Sequence, residues 1–185
     1  MNDDKQLYQK FINGDKYAFE ELVIKHKDNL IYFLSRYTGG DIYSAEDLAQ
    51  EVFAHIFVYK DSYNPEYTFK TFIFTIGRNK AIDFMRKQSR LSFNSPYNEI
   101  EIQGDYKVLE DIVIDNEEKK EVFQAIKSLK PDYQRALHLY AIEELSYKEI
   151  AKVMGKTHSQ VKIMLYRARN SLKALLGEEA ARDEE

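Results

Sequence analysis

The sequence predicts an all-α protein: two small helical domains joined by an acidic, mostly irregular linker. Three observations favour this fold class. Apolar residues recur at helical spacing in both halves of the chain, only three prolines occur among 185 residues, and the middle combines Pro96, Gly104 and dense acid. We expect a first domain at residues 1–92, a linker at 93–116, a second domain at 117–176 and an acidic tail at 177–185.

The first domain is predicted to hold three helices. Asp15 can cap the first of them, and the glycines of the "TGG" stretch at 38–40 indicate its end. Ser44 and Asp47 have the spacing of a capping box and predict the start of the second helix. The third helix follows Pro65 and runs to about Arg90.

Helices are predicted to resume at about Asn116, and Pro131 occupies a position typical of a first helical turn. We expect the apolar stripe of this helix to continue through Leu137, Tyr140 and Ala141. The acidic pair that follows, residues 143–144, is interpreted as a solvated loop. His55 and His138 are interpreted as packed or surface histidines.

A helix-turn-helix is predicted from residue 146 onwards. Ser146 and Glu149 form a capping box, and Gly155 separates the short helix that they begin from a longer one. Five apolar residues of the longer helix recur at helical spacing and define its buried face: Val161, Leu165, Ala168, Leu172 and Leu175.

Charge is unevenly distributed, although the whole chain has a net charge of −4. Residues 98–121 carry nine acids and three lysines, and the tail carries five acids and one arginine. Residues 155–169 carry four cations and no acid, and residues 77–90 carry five cations against Asp83. The positive charge is thus concentrated in two short segments.

The cationic segment at 155–169 fits a recognition helix, because phosphates repel acids and attract bases. His158, Ser159, Gln160 and Lys162 are residue types that contact base edges. Arg167, Arg169 and Lys173 are better suited to phosphates. The alternative is an ordinary solvated basic helix.

The second cationic segment, 77–90, follows six aromatic residues within sixteen positions, between Tyr59 and Phe74. Rings beside a basic track suit single-stranded nucleic acid, because bases stack on the rings while phosphates follow the cations. The alternative is a helical core with a solvated basic end. Phe69, Phe72 and Ile76 are assigned to the core. A chain that reads both a duplex and a single strand fits the opening of DNA at a recognised site.

Several function classes find no support in the residues. The chain has no cysteine, which excludes disulfides and thiolate metal sites, and its four histidines show no metal-binding spacing. There is no phosphate-binding glycine loop. We predict no enzymatic activity, no catalytic residues, no metal, no cofactor and no small-molecule substrate. The N-terminus lacks a secretory pattern and the apolar runs are short, so we expect a cytoplasmic protein.

Three stretches resemble two conserved regions of a known family. "SAEDLAQEVF" and "FKTFIFTIGRNKAIDFMRKQSR" resemble the second conserved region of bacterial sigma-70 family RNA polymerase sigma factors, especially the extracytoplasmic-function (ECF) group. "SLKPDYQRALHLYAIEELSYKEIAKVMGKTHSQVKIMLYRARNSLKALL" is similar to that group's fourth region. The sequence departs from the pattern at Phe72, where Trp is usual, and at Gly77, where Ala is usual. Ile163 and Met164 replace a common Ser and Arg, which predicts fewer phosphate contacts.

The resemblance implies a specificity factor that binds core RNA polymerase and directs promoter-specific initiation. Its −35 contacts would be Lys156, Thr157, His158, Ser159, Gln160, Lys162, Ile163, Arg167 and Arg169. Its −10 contacts would be Lys60, Tyr63, Asn64, Tyr67, Phe72, Arg78, Asn79, Asp83, Arg86, Lys87 and Arg90. Glu46, Asp47, Gln50 and Glu51 would dock on the β′ clamp helices.

The resemblance also implies further partners. The second domain would contact the β flap, and the linker would thread towards the active-site and RNA-exit channels. An anti-sigma factor, membrane-anchored in many relatives, would hold the protein inactive, in the cytoplasm or at the membrane face. Two alternatives stay open: a stand-alone helix-turn-helix repressor or activator, and a helical adaptor that binds no DNA.

Overall fold

This computed structural model describes residues 3–93 and 117–182. The chain divides into two compact units, Met1–Asp105 and Tyr106–Glu185. The described residues form helices and turns with no strand among them, which confirms the all-α, two-domain prediction. Nearly all of the predicted linker lies outside the described residues, as do the last three residues of the tail.

The described residues of unit 1, 3–93, form four α-helices, and the second of them contacts the other three. Its most deeply buried residues include Leu22, Leu30, Phe33, Ile73 and Phe74. The helices are α1 (Asp3–Ile12), α2 (Lys16–Ser35), α3 (Ile42–Val58) and α4 (Phe69–Phe93), with a 3₁₀ turn at Lys60–Ser62.

The cap predicted for α2 is confirmed, since the carboxylate of Asp15 accepts hydrogen bonds from the backbone N–H groups of Tyr17 and Ala18. The start predicted for α3 is wrong. This helix begins at Ile42, and Asp41 is its cap. The Asp41 carboxylate accepts hydrogen bonds from the N–H of Tyr43, the N–H of Ser44 and the hydroxyl of Ser44. An acidic cap has two acceptor oxygens and a favourable interaction with the helix dipole, so it displaces the weaker Ser44–Asp47 arrangement.

The first helix, α1, was not predicted from the sequence. A buried polar cluster attaches it to α2: Nε2 of His26 lies 3.0 Å from Oδ2 of Asp4, and Nζ of Lys25 lies 2.6 Å from Oδ1. Burial by itself would raise the pKa of the Asp4 carboxyl, but hydrogen bonds from His26 and Lys25 outweigh it and lower the pKa to about 2. A ten-residue helix is marginal in isolation, so α1 depends on this docking.

Gly77 lies where α4 packs closely against α2. A Cβ at this position would stand 3.1 Å from Cδ1 of Leu30 and 3.4 Å from Cδ2 of Leu34. Leu30 and Leu34 are fully buried. The glycine that departs from the family pattern is therefore explained by the close approach of two helices.

The described part of unit 2 is assembled around a long helix at its end, which contacts the other α-helices among residues 117–182. Pro131 occupies the first turn, as predicted. The α-helices are α5 (Glu117–Lys127), α6 (Pro131–Leu137), α7 (Tyr147–Met154) and α8 (His158–Arg182), and α6 continues into a π-helical turn at His138–Ile142.

The π-helical turn overturns two expectations. Tyr140 and Ala141 are exposed, and Leu139 is fully buried in their place. A π turn inserts an extra residue and shifts which side chains face inward. Glu143 is only 2% exposed rather than solvated, and its Oε1 lies 3.6 Å from Nε2 of the buried His138.

The helix-turn-helix prediction is confirmed. Ser146 and Glu149 form both hydrogen bonds of a capping box, and Gly155 ends α7 at φ 60°, a left-handed conformation that glycine adopts without strain. On α8, Val161, Leu165 and Ala168 are buried as predicted, whereas residues 172 and 175 are half-buried.

Candidate nucleic-acid interfaces

The start of α8 carries a second capping box. Oγ1 of Thr157 accepts a hydrogen bond from the N–H of Gln160 at 3.2 Å, and Oε1 of Gln160 accepts one from the N–H of Thr157 at 2.8 Å. Both residues are predicted −35 contacts, so they also order the first turn of the recognition helix. The amide NH₂ of Gln160 is not used by this box and keeps the donors that a base acceptor requires.

Most predicted −35 contacts lie on the exposed surface of α8. Because Val161, Leu165 and Ala168 face the core, the opposite side of the helix faces solvent. Met164 is also buried, so its place in the family pattern does not correspond to a missing phosphate contact. The exposed predicted contacts are Thr157, His158, Ser159, Gln160, Lys162, Ile163, Arg167 and Arg169.

Lys156 differs from these residues, because its charge is engaged within unit 2. Its Nζ lies 3.1 Å from Oδ2 of Asp132 on α6, and Nη2 of Arg135 lies 3.2 Å from Oδ1 of the same carboxylate. Burial alone would raise the pKa of Asp132, but hydrogen bonds and charges from Lys156 and Arg135 lower it. Lys156 therefore ties the turn to α6.

A row of rings joins the two ends of the α8 surface. The guanidinium of Arg169 lies 4.5 Å from the ring centroid of Tyr140, whose ring is 5.6 Å from that of Tyr147. The Tyr147 ring is in turn 5.8 Å from that of His158. Cation–π contact restrains Arg169. The sequence does not indicate this row, because its members come from three different elements.

In unit 1, the aromatic loop (residues 59–68) is closed by its own hydrogen bonds. The N–H of Tyr67 donates to the carbonyl of Asn64 across a turn with Pro65 at its second position. Oδ1 of Asn64 accepts from the N–H of Glu66, and the hydroxyl of Tyr63 donates to the carbonyl of Tyr67 at 2.8 Å. These contacts order the loop without any ligand.

The rings of the aromatic loop differ in burial. Tyr59 is 59% exposed, whereas Tyr63 is half-buried, with its ring centroid 4.7 Å from that of Tyr8 and 5.2 Å from that of Phe72. Burial raises the pKa of Tyr63. Burial of Tyr63 is not evident from the sequence, which cannot show that α1 packs beneath the loop.

The core assignment at the start of α4 is corrected in part. Phe69, Ile73 and Phe74 are fully buried, whereas Phe72 and Ile76 are half-buried. The spacing of the apolar residues predicted the helix correctly. Packing against α2 and α3 buries Ile73 instead of its neighbour Phe72, so the buried face is shifted from the predicted one.

Lys60 points towards α1 rather than towards the cationic face of α4. Its Nζ donates to the carbonyl of Ile12 at 3.3 Å, and its own carbonyl accepts from the hydroxyl of Tyr8 at 2.6 Å. Lys60 is therefore a link between α1 and the aromatic loop. The family resemblance had implied that Lys60 is a −10 contact.

The outer part of α4 presents most of the other predicted −10 contacts. Asn79, Asp83, Arg86, Lys87 and Arg90 are exposed, and Arg78 is half-buried. Arg86 and Asp83 form an exposed ion pair at 3.3 Å, which solvent screens and which contributes little.

The surface of α3 joins two predicted groups. Glu46, Asp47, Gln50 and Glu51, the predicted clamp-docking residues, are all exposed. Oε2 of Glu51 lies 3.0 Å from Nζ of Lys80 on α4. The cationic segment at 77–90 is therefore faced by a second acid besides Asp83, because Glu51 neutralises the charge of Lys80.

Within residues 3–93 and 117–182, no helix has the length and apolar character needed to cross a membrane. The same residues contain no group of three or more acidic, histidine or cysteine side chains placed to hold a metal ion.

Comparison with known proteins identifies both units. Residues 22–91 match the family model of Sigma-70 region 2, and residues 119–172 match that of Sigma-70, region 4. The ECF RNA polymerase sigma-E factor of Escherichia coli K12 is 29% identical over 178 residues, covering 91% of this chain and 92% of the relative. The ECF sigma factor SigW of Bacillus subtilis is 30% identical over 184 residues, covering 93% and 96%.

Solved structures agree. CnrH, determined in complex with the cytosolic domain of CnrY, matches with a TM-score of 0.64 and 25% identity over 95% of this chain and 98% of CnrH. The sigma factor RpoE of Bartonella quintana, determined with the anti-sigma factor NepR, has the same fold, with a TM-score of 0.63 and 23% identity over 86% and 96%. Both conserved regions are present in order, and the relatives from Escherichia coli and Bacillus subtilis match over 92% and 96% of their length. The chain therefore belongs to the ECF group of the sigma-70 family, the sigma factors that direct transcription initiation by RNA polymerase.

Proposed function

We propose that this sigma factor reads and opens promoters with two separate surfaces, the outer face of α8 on the −35 duplex and α4 with the aromatic loop on the −10 strand. The observation that carries the proposal is that an exposed cationic face on α4 directly follows a pre-ordered ring-bearing loop in unit 1, while unit 2 presents a capped recognition helix.

The α8 surface suits duplex DNA. Residues 158–160 lie at the first turn of the recognition helix, where side chains reach base edges in the major groove. Arg167 and Arg169 lie further along the helix and suit phosphates. Lys156 is assigned a structural contribution to the turn, because Asp132 neutralises it.

The unit 1 surface suits a melted strand. Rings of the aromatic loop would stack a base that has left the duplex, and Arg86, Lys87 and Arg90 would follow the phosphates. Asn79 and Asp83 would act where the duplex ends. Because the loop is already closed, binding of the strand requires less loss of conformational entropy from the loop.

The exposed acidic face of α3 is proposed to dock on the basic clamp helices of the β′ subunit, and unit 2 to contact the β flap. Chemistry belongs to the polymerase, and this chain supplies binding and positioning without catalysis. RpoE of Bartonella quintana was solved with the anti-sigma factor NepR, which supports the proposal of an anti-sigma partner here as well, in the cytoplasm or at the membrane face.

The test uses holoenzyme reconstituted from core polymerase and this chain, on a promoter identified by mapping transcript starts after overproduction. We expect Arg86→Ala combined with Arg90→Ala to lower permanganate reactivity of unpaired thymines by about tenfold, since two phosphate contacts are lost. Binding to a −35 duplex should stay within about twofold of wild type, because that surface is in the other unit.

A matched control removes two exposed cations elsewhere in unit 1, Lys16→Ala with Lys27→Ala, and should open the promoter normally. Normal opening by the Arg86/Arg90 variant would contradict the proposed −10 surface. If this chain bound an operator tightly without polymerase and was not required for transcription initiation, a stand-alone helix-turn-helix regulator would be favoured instead.

A further inference from the structure

We infer that Tyr8 is a positioning residue for the aromatic loop, and that α1, which precedes the region 2 match at residue 22, is part of the apparatus that captures the −10 strand. The inference rests on the proposed function of the loop. It assigns a role to a helix that neither the family match nor the sequence pattern connects to DNA.

Polar contacts join α1 and the loop in both directions. The hydroxyl of Tyr8 donates to the carbonyl of Lys60 at 2.6 Å, and Nζ of Lys60 donates to the carbonyl of Ile12 at the end of α1. Burial raises the pKa of Tyr8 to about 12, so the hydroxyl keeps its proton at neutral pH and remains a donor.

Ring contacts continue from Tyr8 into the loop. Tyr8 is 1% exposed, and its ring centroid lies 4.7 Å from that of Tyr63 and 6.3 Å from that of Phe72. The hydroxyl of Tyr63 then holds the carbonyl of Tyr67. A displacement of Tyr8 would therefore move Tyr63 and open the turn that Tyr63 closes.

The other end of α1 is attached to the core. Asp4 contacts His26 and Lys25 on α2 at 3.0 and 2.6 Å, one helical turn before Tyr8. The helix thus bridges the fixed core of unit 1 and the aromatic loop. A base pocket that is held in its binding shape loses less free energy on ordering, so this bridge should increase affinity for the strand.

The experiment measures binding of holoenzyme to a single-stranded −10 oligonucleotide that carries 2-aminopurine at the captured position, and binding to a −35 duplex in parallel. Tyr8→Phe keeps the ring and removes only the donor to Lys60. We expect about threefold to tenfold weaker binding of the strand, the range for one hydrogen bond, with −35 binding unchanged. Tyr17→Phe, at a tyrosine that is 82% exposed, is the matched control and should bind as wild type.

Binding is measured below the unfolding temperature of each variant, so that loss of fold does not account for weaker binding. Selectivity among the four bases at the captured position should also fall in Tyr8→Phe, because a loosened pocket discriminates less. Strand binding equal to wild type, or an equal loss of −10 and −35 binding, would overturn the inference.

Tyr63→Ala distinguishes this inference from the proposed function on which it rests. If Tyr63→Ala binds the strand normally, the loop does not capture a base and the proposed function of unit 1 fails. If Tyr63→Ala weakens binding while Tyr8→Phe does not, the loop acts as proposed and only the role of Tyr8 is refuted.

Discussion

The two candidate DNA surfaces of this protein are built in different ways. In unit 2, the caps that precede and begin the recognition helix join residues only three positions apart, Ser146 with Glu149 and Thr157 with Gln160. In unit 1, the aromatic loop is tied to a residue 52 positions away, and the helix that holds it is attached across 22 positions. The proposed −35 surface is thus largely local, whereas the proposed −10 surface is a product of tertiary packing.

The two surfaces are therefore sensitive to different substitutions. A locally capped helix keeps its shape as long as its own turns are intact. A loop that depends on a distant helix changes when that helix is loosened, even by a substitution that contacts no DNA. Three substitutions test this contrast, and they are given in order of decreasing effect.

Asp4→Asn should loosen unit 1 and leave unit 2 unaffected. The folded-state pKa of about 2 lies below the ordinary value of 3.8, so the carboxylate stabilises the fold above about pH 4, and this contribution is lost as pH falls through about 2. We expect a loss of about 2 kcal/mol at pH 7. Hydrogen exchange should accelerate in α1 and the aromatic loop and stay unchanged in α7 and α8.

Asp3→Asn is the matched control. Asp3 also contacts Lys25, at 3.3 Å, but its side chain is 64% exposed, and exposed ion pairs contribute little. If Asp4→Asn proved as mild as Asp3→Asn, or if exchange rose equally in both units, the long-range attachment of α1 would not be what distinguishes unit 1.

Gln160→Glu should separate capping from DNA reading in unit 2. Glutamate keeps the acceptor oxygen of the capping box but has no amide donor for a base. We expect the free energy of unfolding of unit 2 to stay within about 0.5 kcal/mol of wild type. The affinity for the −35 duplex should fall by about tenfold.

Gln160→Ala supplies the comparison, because it loses both the cap and the donor. Its affinity for DNA should fall as well, and its unit 2 should also be less stable by about 1 kcal/mol. Wild-type affinity in the Gln160→Glu protein would mean that this side chain serves only the helix start.

Glu144→Gly should produce a small gain in stability confined to unit 2. Glu144 has φ 57°, a left-handed conformation that costs about 1 kcal/mol in a residue with a side chain and much less in glycine. After the greater flexibility of unfolded glycine is subtracted, we expect about 0.5 kcal/mol of stabilisation. Thermal unfolding monitored by circular dichroism measures it.

Ala174→Gly gives the opposite sign and serves as the control. Ala174 is exposed within α8, where glycine costs about 1 kcal/mol relative to alanine. Destabilisation by Glu144→Gly, comparable to that of the control, would show that the turn after the π-helical segment is not strained.

Sequence reasoning succeeded where contacts are short in sequence. Asp15 as a cap, Pro131 in a first turn and the Ser146–Glu149 box were all predicted and are confirmed. Each depends on groups within three or four positions of one another, and side-chain chemistry alone decides such contacts.

The errors have three separate causes. Asp41, rather than Ser44, caps α3 because two local candidates competed and the carboxylate satisfied more donors. Glu143 is buried because the π-helical turn shifted the inward face by a residue. The helix at α1 was missed, although Leu7, Tyr8 and Phe11 have helical spacing, because a short polar helix is stable only when it is docked.

Local sequence patterns are sufficient to specify the helical class, the two-domain order, the caps near α8 and the exposed residues on its outer face. Each follows from the period of apolar residues and from hydrogen bonds inside one or two helical turns. Tertiary structure alone decided that α1 forms, that Tyr8 packs under Tyr63 and that Lys60 turns away from the cationic face. Those contacts join residues far apart in the chain, and they form only because the folded core has already brought the elements together.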